Sequence, residues 1–416
     1  MTSLTDHLAN TGHLRDLWNL DPDLAFLNHG SFGACPEPVL AVQRQLRDRL
    51  EANPVRFLGR ELQDRMDEAF SCLASLLGCQ RQDLVAVPNA THGVNMVLRS
   101  LTFEAGDEIL VTDHTYNACR NAVDVICATT GSRCVIVPIA WPVVDPAAIV
   151  RDLLATVTPN TRLALIDHVT SPTALILPIA EIVQQLQANG VDVLVDGAHG
   201  PGQVPLNLDA LGAAYYTGNC HKWLCSPKGA AFLHVRRDRQ ARIRPMATSH
   251  GHNDPRLQDP QNQRSHFLLE FDQFGTSDPT PWLAIPAAVD FLQALYGDLP
   301  ALMAENHART LQARKRVAEV LQSDLPCPDA MIGAMASVEL ARLPQVLPGL
   351  DPLHVQLDQQ FNIEIPVLTW PSPSIRVLRL SIHAHTRDAD VERLCAAVQA
   401  LQIHGPTPQP RTDQHP

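Results

Sequence analysis

Asn219-Cys220-His221-Lys222-Trp223 follows an apolar run, Ala213 to Thr217, and lies downstream of a second such run, Val191 to Val195, which leads straight into Asp196-Gly197-Ala198-His199. Two short apolar runs, each closed by a polar cluster, read as strands of one sheet whose carboxyl ends carry a ligand. The pattern continues outward. Further strand-like runs are Glu108 to Thr112, Cys134 to Pro138, Arg162 to Asp167 and Ala230 to Val235. Helical periodicity falls at Val94 to Leu101, Ala118 to Thr129, Pro146 to Val157 and Ile179 to Asn189. Strand and helix alternate, so the expected fold class is α/β, with a mostly parallel sheet covered on both faces. Gly190 stands where a C′ glycine turns a helix into the next strand.

The polar clusters define a chemistry. An aspartate at one strand end and a lysine after the next form the layout that holds pyridoxal 5′-phosphate (PLP). The Asp196 carboxylate keeps a pyridine nitrogen protonated, and the Lys222 amine is the nucleophile for an aldehyde; neither group can do the other's work. Each half alone has a plainer meaning. An aspartate after a strand is commonly a turn residue, and a lysine beside a histidine is commonly a surface lysine. Their order, together with Pro88-Asn89-Ala90-Thr91-His92-Gly93 ahead of a helical pattern, favours the cofactor. A small-residue turn that opens a helix offers N–H groups and the positive end of the helix dipole to a phosphate. On its own it would be an Asn or Thr N-cap.

Composition narrows the partners. The 416 residues carry 32 basic and 44 acidic side chains, a net charge of −12, which argues against a nucleic-acid partner. Hydrophobic residues make up 45% and charged residues 18%, a globular composition. No apolar run approaches the ~20 residues of a membrane span. Met1 to His7 lacks the basic-then-apolar order of a signal peptide. Ten cysteines are scattered without a C-x-x-C pair, so reduced thiols and a cytoplasmic location are expected.

The two ends differ from the middle. Phe26 to Gly33 reads as a short strand and a glycine-rich turn, followed by helices at Pro38 to Glu51 and Arg60 to Leu77. Downstream come a helix at Pro281 to Leu295 and a long amphipathic stretch from Pro300 to Gln322. Strands near Ala334 to Leu340 and Ser374 to Ile382 and a helix at Arg387 to Leu401 complete a smaller α+β C-terminal domain. His404 to Pro416 is polar and proline-rich, with nothing to bury, and is expected to be disordered. The expected division is an N-terminal segment 1–35, a large domain 36–295, a small domain 296–403 and a tail 404–416.

Assembled, these segments resemble a fold-type-I PLP enzyme of the class V aminotransferase superfamily, within it the isopenicillin N epimerase-like group. The carrying segments are FLNHGSFGACP from Phe26, NPVRFLGRE from Asn53, NATHGVN from Asn89, GDEILVTDHTYNAC from Gly106 and DHVTSPTALILP from Asp167. They continue with VDGAHGPG from Val195, YYTGNCHKWLCSPKG from Tyr215, FGTSDPTPWLA from Phe274 and LRLSIHAHT from Leu378. The resemblance implies a seven-stranded, mostly parallel sheet in the large domain. It implies that Lys222 bonds the cofactor aldehyde, that Asp196 partners the pyridine nitrogen and that His199 hydrogen-bonds the phenolic oxygen. Tyr116 matches the residue that stacks on the pyridine ring; a core tyrosine is the plainer reading. Ala90, Thr91, Asn219 and His221 match phosphate contacts. Gly275 and Thr276 match a segment that reaches the phosphate of the neighbouring subunit, which implies a homodimer with shared active sites. Arg379 matches the clamp for a substrate α-carboxylate, where a guanidinium forms two parallel hydrogen bonds.

Departures shape the functional expectation. Cysteine desulfurases of the superfamily carry a nucleophilic cysteine shortly before the clamp arginine, and Ile363 to Ser374 contains none. His385-Thr386 stands where relatives often have Tyr-Asn. His250 and His252 have the look of a metal pair without a third ligand, so no metal is expected, and His250 is assigned to the substrate pocket. The leading expectation is reaction at the Cα of an amino-acid substrate, most like an epimerase. The second acid this needs falls to Tyr116, His199 or the Asn28-His29 turn. A C–S lyase and an aminotransferase are the alternatives. A non-catalytic protein that kept the fold is a further reading, opposed by the intact Lys222, Asp196 and Arg379. A nicotinamide enzyme lacks its G-x-G-x-x-G.

Overall fold

The computed structural model describes residues 13–273, 275–341, 349–370 and 375–406. Residues 1–12, Phe274, Pro371 to Ser374 and most of the expected tail, 407–416, lie outside the described residues. After a 3-10 turn at Leu14–Leu17, the first strand is a two-residue one, Ala25–Phe26 (β1). The expected glycine-rich turn is helical: His29–Phe32 forms one short turn ended by Gly33 at φ 72°. A side chain at Gly33 would strike the carbonyl of His221. The turn therefore presses on the backbone that carries Lys222. Helices Glu37–Ala52 and Leu62–Leu77 follow close to their expected positions.

Seven strands form the central sheet. They are Leu84–Val87 (β2), Glu108–Thr112 (β3), Arg133–Val137 (β4), Thr161–Asp167 (β5), Asp192–Gly197 (β6), Tyr215–Asn219 (β7) and Ala231–Val235 (β8). Their order is β2-β8-β7-β6-β5-β3-β4. β8 runs antiparallel to both its neighbours, and every other pair is parallel. β2, β3, β7 and β8 are buried along their whole length. Strands covered on both faces read as unbroken apolar runs without alternation, which is why they stand out in the sequence. β2 does not stand out: it has four residues and runs directly into Pro88-Asn89. The helices Ala90–Ser100, Asn117–Thr130, Pro146–Thr156 and Ile179–Ala188 supply the crossovers. Register pairs Asp167 with Asp196 and Gly197 with Gly218, so one end of the sheet gathers Asp167, Asp196 and Asn219.

Beyond the sheet lie helices Ile285–Tyr296 and Leu299–Leu321. Then come Met335–Leu340 (β9), the helix Pro352–Phe361, Ile363–Glu364 (β10), Val367–Thr369 (β11), Arg376–Ser381 (β12) and the helix Asp388–Ala400. β9, β12 and β11 form an antiparallel sheet, and β10 pairs in parallel with β1. Ala25 and Leu27 share an apolar core with Val317, Leu321, Val338, Leu378 and Leu394. The segment around β1 is thus packed with β9, β12 and the helix Asp388–Ala400. Among the described residues no helix is long and apolar enough to cross a membrane.

Candidate active site

Asp196 occupies the carboxyl end of β6 and is buried. Its Oδ1 accepts from the Ala198 N–H at 3.0 Å, and its Oδ2 accepts from the Cys119 thiol at 3.1 Å. Burial pushes its carboxyl up, and those two hydrogen bonds and Lys222 pull it back. Asp167, one strand away, is pushed well up by burial and by Asp196. Two carboxyls side by side in an apolar sheet end favour sharing one proton. Burial and Asp196 also raise the Cys119 thiol, so it remains a donor.

Lys222 follows β7 and lines the same cavity as Asp196. Burial, reinforced by Arg379, draws its amine down to about 7, against the pull of Asp196. Its Nζ is 3.1 Å from Nε2 of His199, and the indole N–H of Trp223 donates to Nδ1 of the same ring at 3.3 Å. An indole nitrogen only donates, so Nδ1 accepts and the His199 proton sits on Nε2. That proton then points at the Lys222 amine, which accepts it in the neutral form. Burial and Lys222 keep the His199 ring itself from charging.

That cavity measures about 510 Å³. Asn89, Ala90, Thr91, Tyr116, Asp167, Asp196, His199, Asn219, His221 and Lys222 line it, with Ser31, Phe32 and Ser171 at the other side. Ala90 opens the helix Ala90–Ser100, and Asn89 caps it by accepting from the His92 N–H. The Oδ1 of Asn219 takes the Ala90 N–H at 2.9 Å, which braces the turn against β7. His221 donates through Nδ1 to the Ala230 carbonyl at 3.0 Å, which leaves Nε2 as its other ring atom. Burial and Lys222 draw His221 down to about 4. Tyr116 caps the helix Asn117–Thr130 and is 42% exposed, an open face at the cavity and not a core tyrosine.

Arg379, on β12, lies one layer behind the wall. It donates to the Ser171 carbonyl at 2.5 Å, to Ser31 Oγ at 2.8 Å and to Asn28 Oδ1 at 3.2 Å. Burial draws it to about 10. Asn28 in turn donates to Glu364 at 2.7 Å, so it holds Arg379 and does not line the cavity. His29 is fully buried and also lies outside the cavity. Its Nε2–H donates to the Lys222 carbonyl at 3.0 Å, while its Nδ1 accepts from the Ala34 N–H and faces His385 Nε2 at 2.9 Å. His383 stacks on the ring at 4.3 Å. His29, which the sequence reading placed with Asn28 both at the substrate and as a source of the second acid, here supports the lysine's backbone.

His250, Gly275 and Thr276 are not brought to this cavity. They line a separate one of about 660 Å³ with Arg60, Arg81 and Trp282. Four participants escape the sequence reading: Asp167, Cys119, Ser171 and the Trp223 indole. Asp167 and Ser171 sit within the quoted DHVTSPTALILP, but only cross-strand register shows what they face.

A family model for class V aminotransferases matches residues 28–394. The chain belongs to the class V aminotransferase family. It is 35% identical to an isopenicillin N epimerase of Amycolatopsis lactamdurans over 401 residues, covering 93% of this chain and 97% of that one. It is 30% identical to a probable chloroplastic L-cysteine desulfhydrase of Arabidopsis thaliana, covering 92% and 84%. In fold it is similar to a C-DES mutant with glycine covalently linked to its PLP cofactor, with a TM-score of 0.77 at 21% identity over 92% and 98% of the two chains. The residues present fit PLP. A buried carboxylate, an amine drawn down to about 7 and a capped helix start all line the one cavity. Within this class V aminotransferase site, Asp167 Oδ2 lacks a hydrogen-bond partner among the described residues, beside the end where a pyridine nitrogen would lie.

Proposed function

We propose that the protein is a PLP-dependent enzyme that inverts the Cα of an amino-acid substrate. The observation that carries this reading is a pair of groups on one cavity with opposite proton habits. Lys222 is drawn down to about 7, and Tyr116 is pushed up by burial, with Cys119 and Asp196 adding to it. Environments that push two titratable groups apart mark the base and the acid. Bound PLP supplies the electron sink for the pair of electrons left at Cα when its proton departs.

The chain's own residues do the rest. Lys222, in its neutral form, accepts a proton at Nζ, and His199, its ring fixed by the Trp223 indole, would turn its Nε2–H to the cofactor's phenolic oxygen. Asp196 keeps negative charge at the far end of the cavity, with Cys119 and the Ala198 N–H fixing its oxygens. Thr91, Asn219 and His221, with the helix start at Ala90, would hold the phosphate. Arg379 turns from Ser31 and Asn28 to grip the substrate carboxylate. Tyr116 Oη returns the proton from the face opposite Lys222.

The isopenicillin N epimerase relatives support this reaction. The relatives named as L-cysteine desulfhydrases favour a second one, loss of a sulfur group from Cβ. Transamination is the third outcome the same groups allow. Gly275 and Thr276 lie away from Lys222 in their own chain, which supports a homodimer whose partner completes each site. A large domain over 36–295, a small one over 296–403 and a cytoplasmic location complete the proposal.

Incubation with a panel of amino acids in D₂O separates the reactions. Epimerisation gives deuterium at Cα with loss of optical purity. Sulfide with pyruvate marks the lyase, and a new keto acid marks transamination. If no substrate of the panel exchanges its Cα proton, reaction at Cα is ruled out.

A further inference from the structure

Far from Lys222, a short 3-10 turn, His250–Asn253, lies on the helix His266–Asp272. The seat is close. Gly251 is buried, and a side chain there would meet the Leu269 carbonyl and come within 2.6 Å of Glu270 Cα. This contact sets His252 over the helix, where His266 and Glu270 are four residues apart on one face. His252 Nδ1 lies 3.2 Å from Glu270 Oε1, and His266 Nε2 lies 3.6 Å from the same oxygen. All three donor atoms fall within 4.8 Å of one another. Ligands of one ion at ~2.0–2.2 Å in a tetrahedron stand about 3.3–3.6 Å apart.

The chemistry of the three agrees with the spacing. Glu270 is 4% exposed, whereas the His252 and His266 side chains are 62% and 40% exposed. A buried carboxylate at the base and two accessible imidazoles above it leave a way in and an open position for water. Arg244 Nε stands 3.4 Å from the other carboxylate oxygen, Oε2, and so leaves Oε1 to the imidazoles. His266 Nε2 also lies 3.2 Å from the His252 carbonyl, a bond it gives up when Nε2 becomes a ligand. His250, the other half of the sequence pair, takes no part and lines the neighbouring cavity.

We propose that His252, His266 and Glu270 form a binding site for one divalent metal ion of the zinc type. Two imidazoles and one carboxylate suit zinc and its transition-metal neighbours better than calcium or magnesium, which take mainly oxygen ligands. The ion clasps the His250–Asn253 turn to the helix, just ahead of the segment that holds Gly275 and Thr276.

The test is equilibrium dialysis of the PLP-loaded enzyme against zinc chloride, with metal content measured per chain. Wild type and His404→Ala, an exposed histidine elsewhere, should each take up one tightly held zinc. His252→Ala, which removes an exposed ring and spares the fold, should weaken that site by about 100-fold, at least the loss that follows when only a supporting partner of a ligand goes. His266→Ala should do the same. An anomalous peak at the zinc edge in crystals should fall between the three side chains. The proposal fails if wild type binds zinc no better than His252→Ala, or if the peak lies on other histidines.

Discussion

At the scale of single residues, the site turns on a lysine whose amine burial draws down to about 7, far below an ordinary lysine. Its amine must be unprotonated to attack an aldehyde. The neutral fraction grows as pH rises through the folded pKa of about 7 and then levels off. The rate at which the cofactor-free protein captures PLP should therefore climb to a plateau with a midpoint near pH 7, when followed by borohydride trapping on Lys222. A midpoint near the ~10.4 of an ordinary lysine would sink the argument, as would reduction that marks Lys228. At the other end, Asp196→Asn keeps the shape and removes the charge. It should leave PLP bound and lower turnover by about 10²–10³, the loss typical of one preorganised electrostatic group. Steady-state rates within a few-fold of wild type would contradict it. Lys222 and Asp196 were legible because each closes an apolar run. Trp223 and Asp167 were not, since their parts depend on which atom faces a ring or a strand across the sheet.

At the scale of elements, the sheet and its helices were legible wherever burial on both faces makes an unbroken apolar run. The short pieces were not: β2 merges with the proline turn, and the helices His266–Asp272 and Pro352–Phe361 are brief and punctuated by polar residues. One packing contact fixes the helix Ala90–Ser100. A side chain on Gly93 would collide with Thr217 of β7. Gly93→Ala should cost about 1–3 kcal/mol, as overpacking of a filled interior does. Urea unfolding would measure it, and an unchanged midpoint would show that the helix can slide. The stretch before β12 gives a different expectation. Residues 363–374 contain no cysteine, and burial raises the Cys327 thiol to about 11, which keeps it a poor nucleophile. Turnover with cysteine should leave no persulfide on the protein by intact-mass analysis. A mass gain of one sulfur would overturn this.

At the scale of the whole molecule, the shared-site proposal makes a prediction that neither mutant alone can make. Lys222→Ala chains and Thr276→Ala chains, each impaired, should regain activity when their subunits are exchanged, because one site of each mixed dimer collects both native contributions. A monomer by light scattering, or proven exchange without any gain, would refute it. The sequence marked Gly275 and Thr276 only through resemblance, since nothing local in a glycine and a threonine says whose phosphate they serve.

The histidines behind Lys222 set an order in time as well as in space. His29 comes from the start of the chain, Lys222 from its middle, and His383 and His385 from near its end, and the four meet in one buried patch. A ribosome that has released the first three hundred residues has delivered the whole central sheet, yet the carbonyl of Lys222 still lacks the rings that brace His29 against it. The enzyme's lysine reaches its final setting only after His383 and His385 have been made, so a nascent chain carries an unfinished active site until the residues just past β12 emerge.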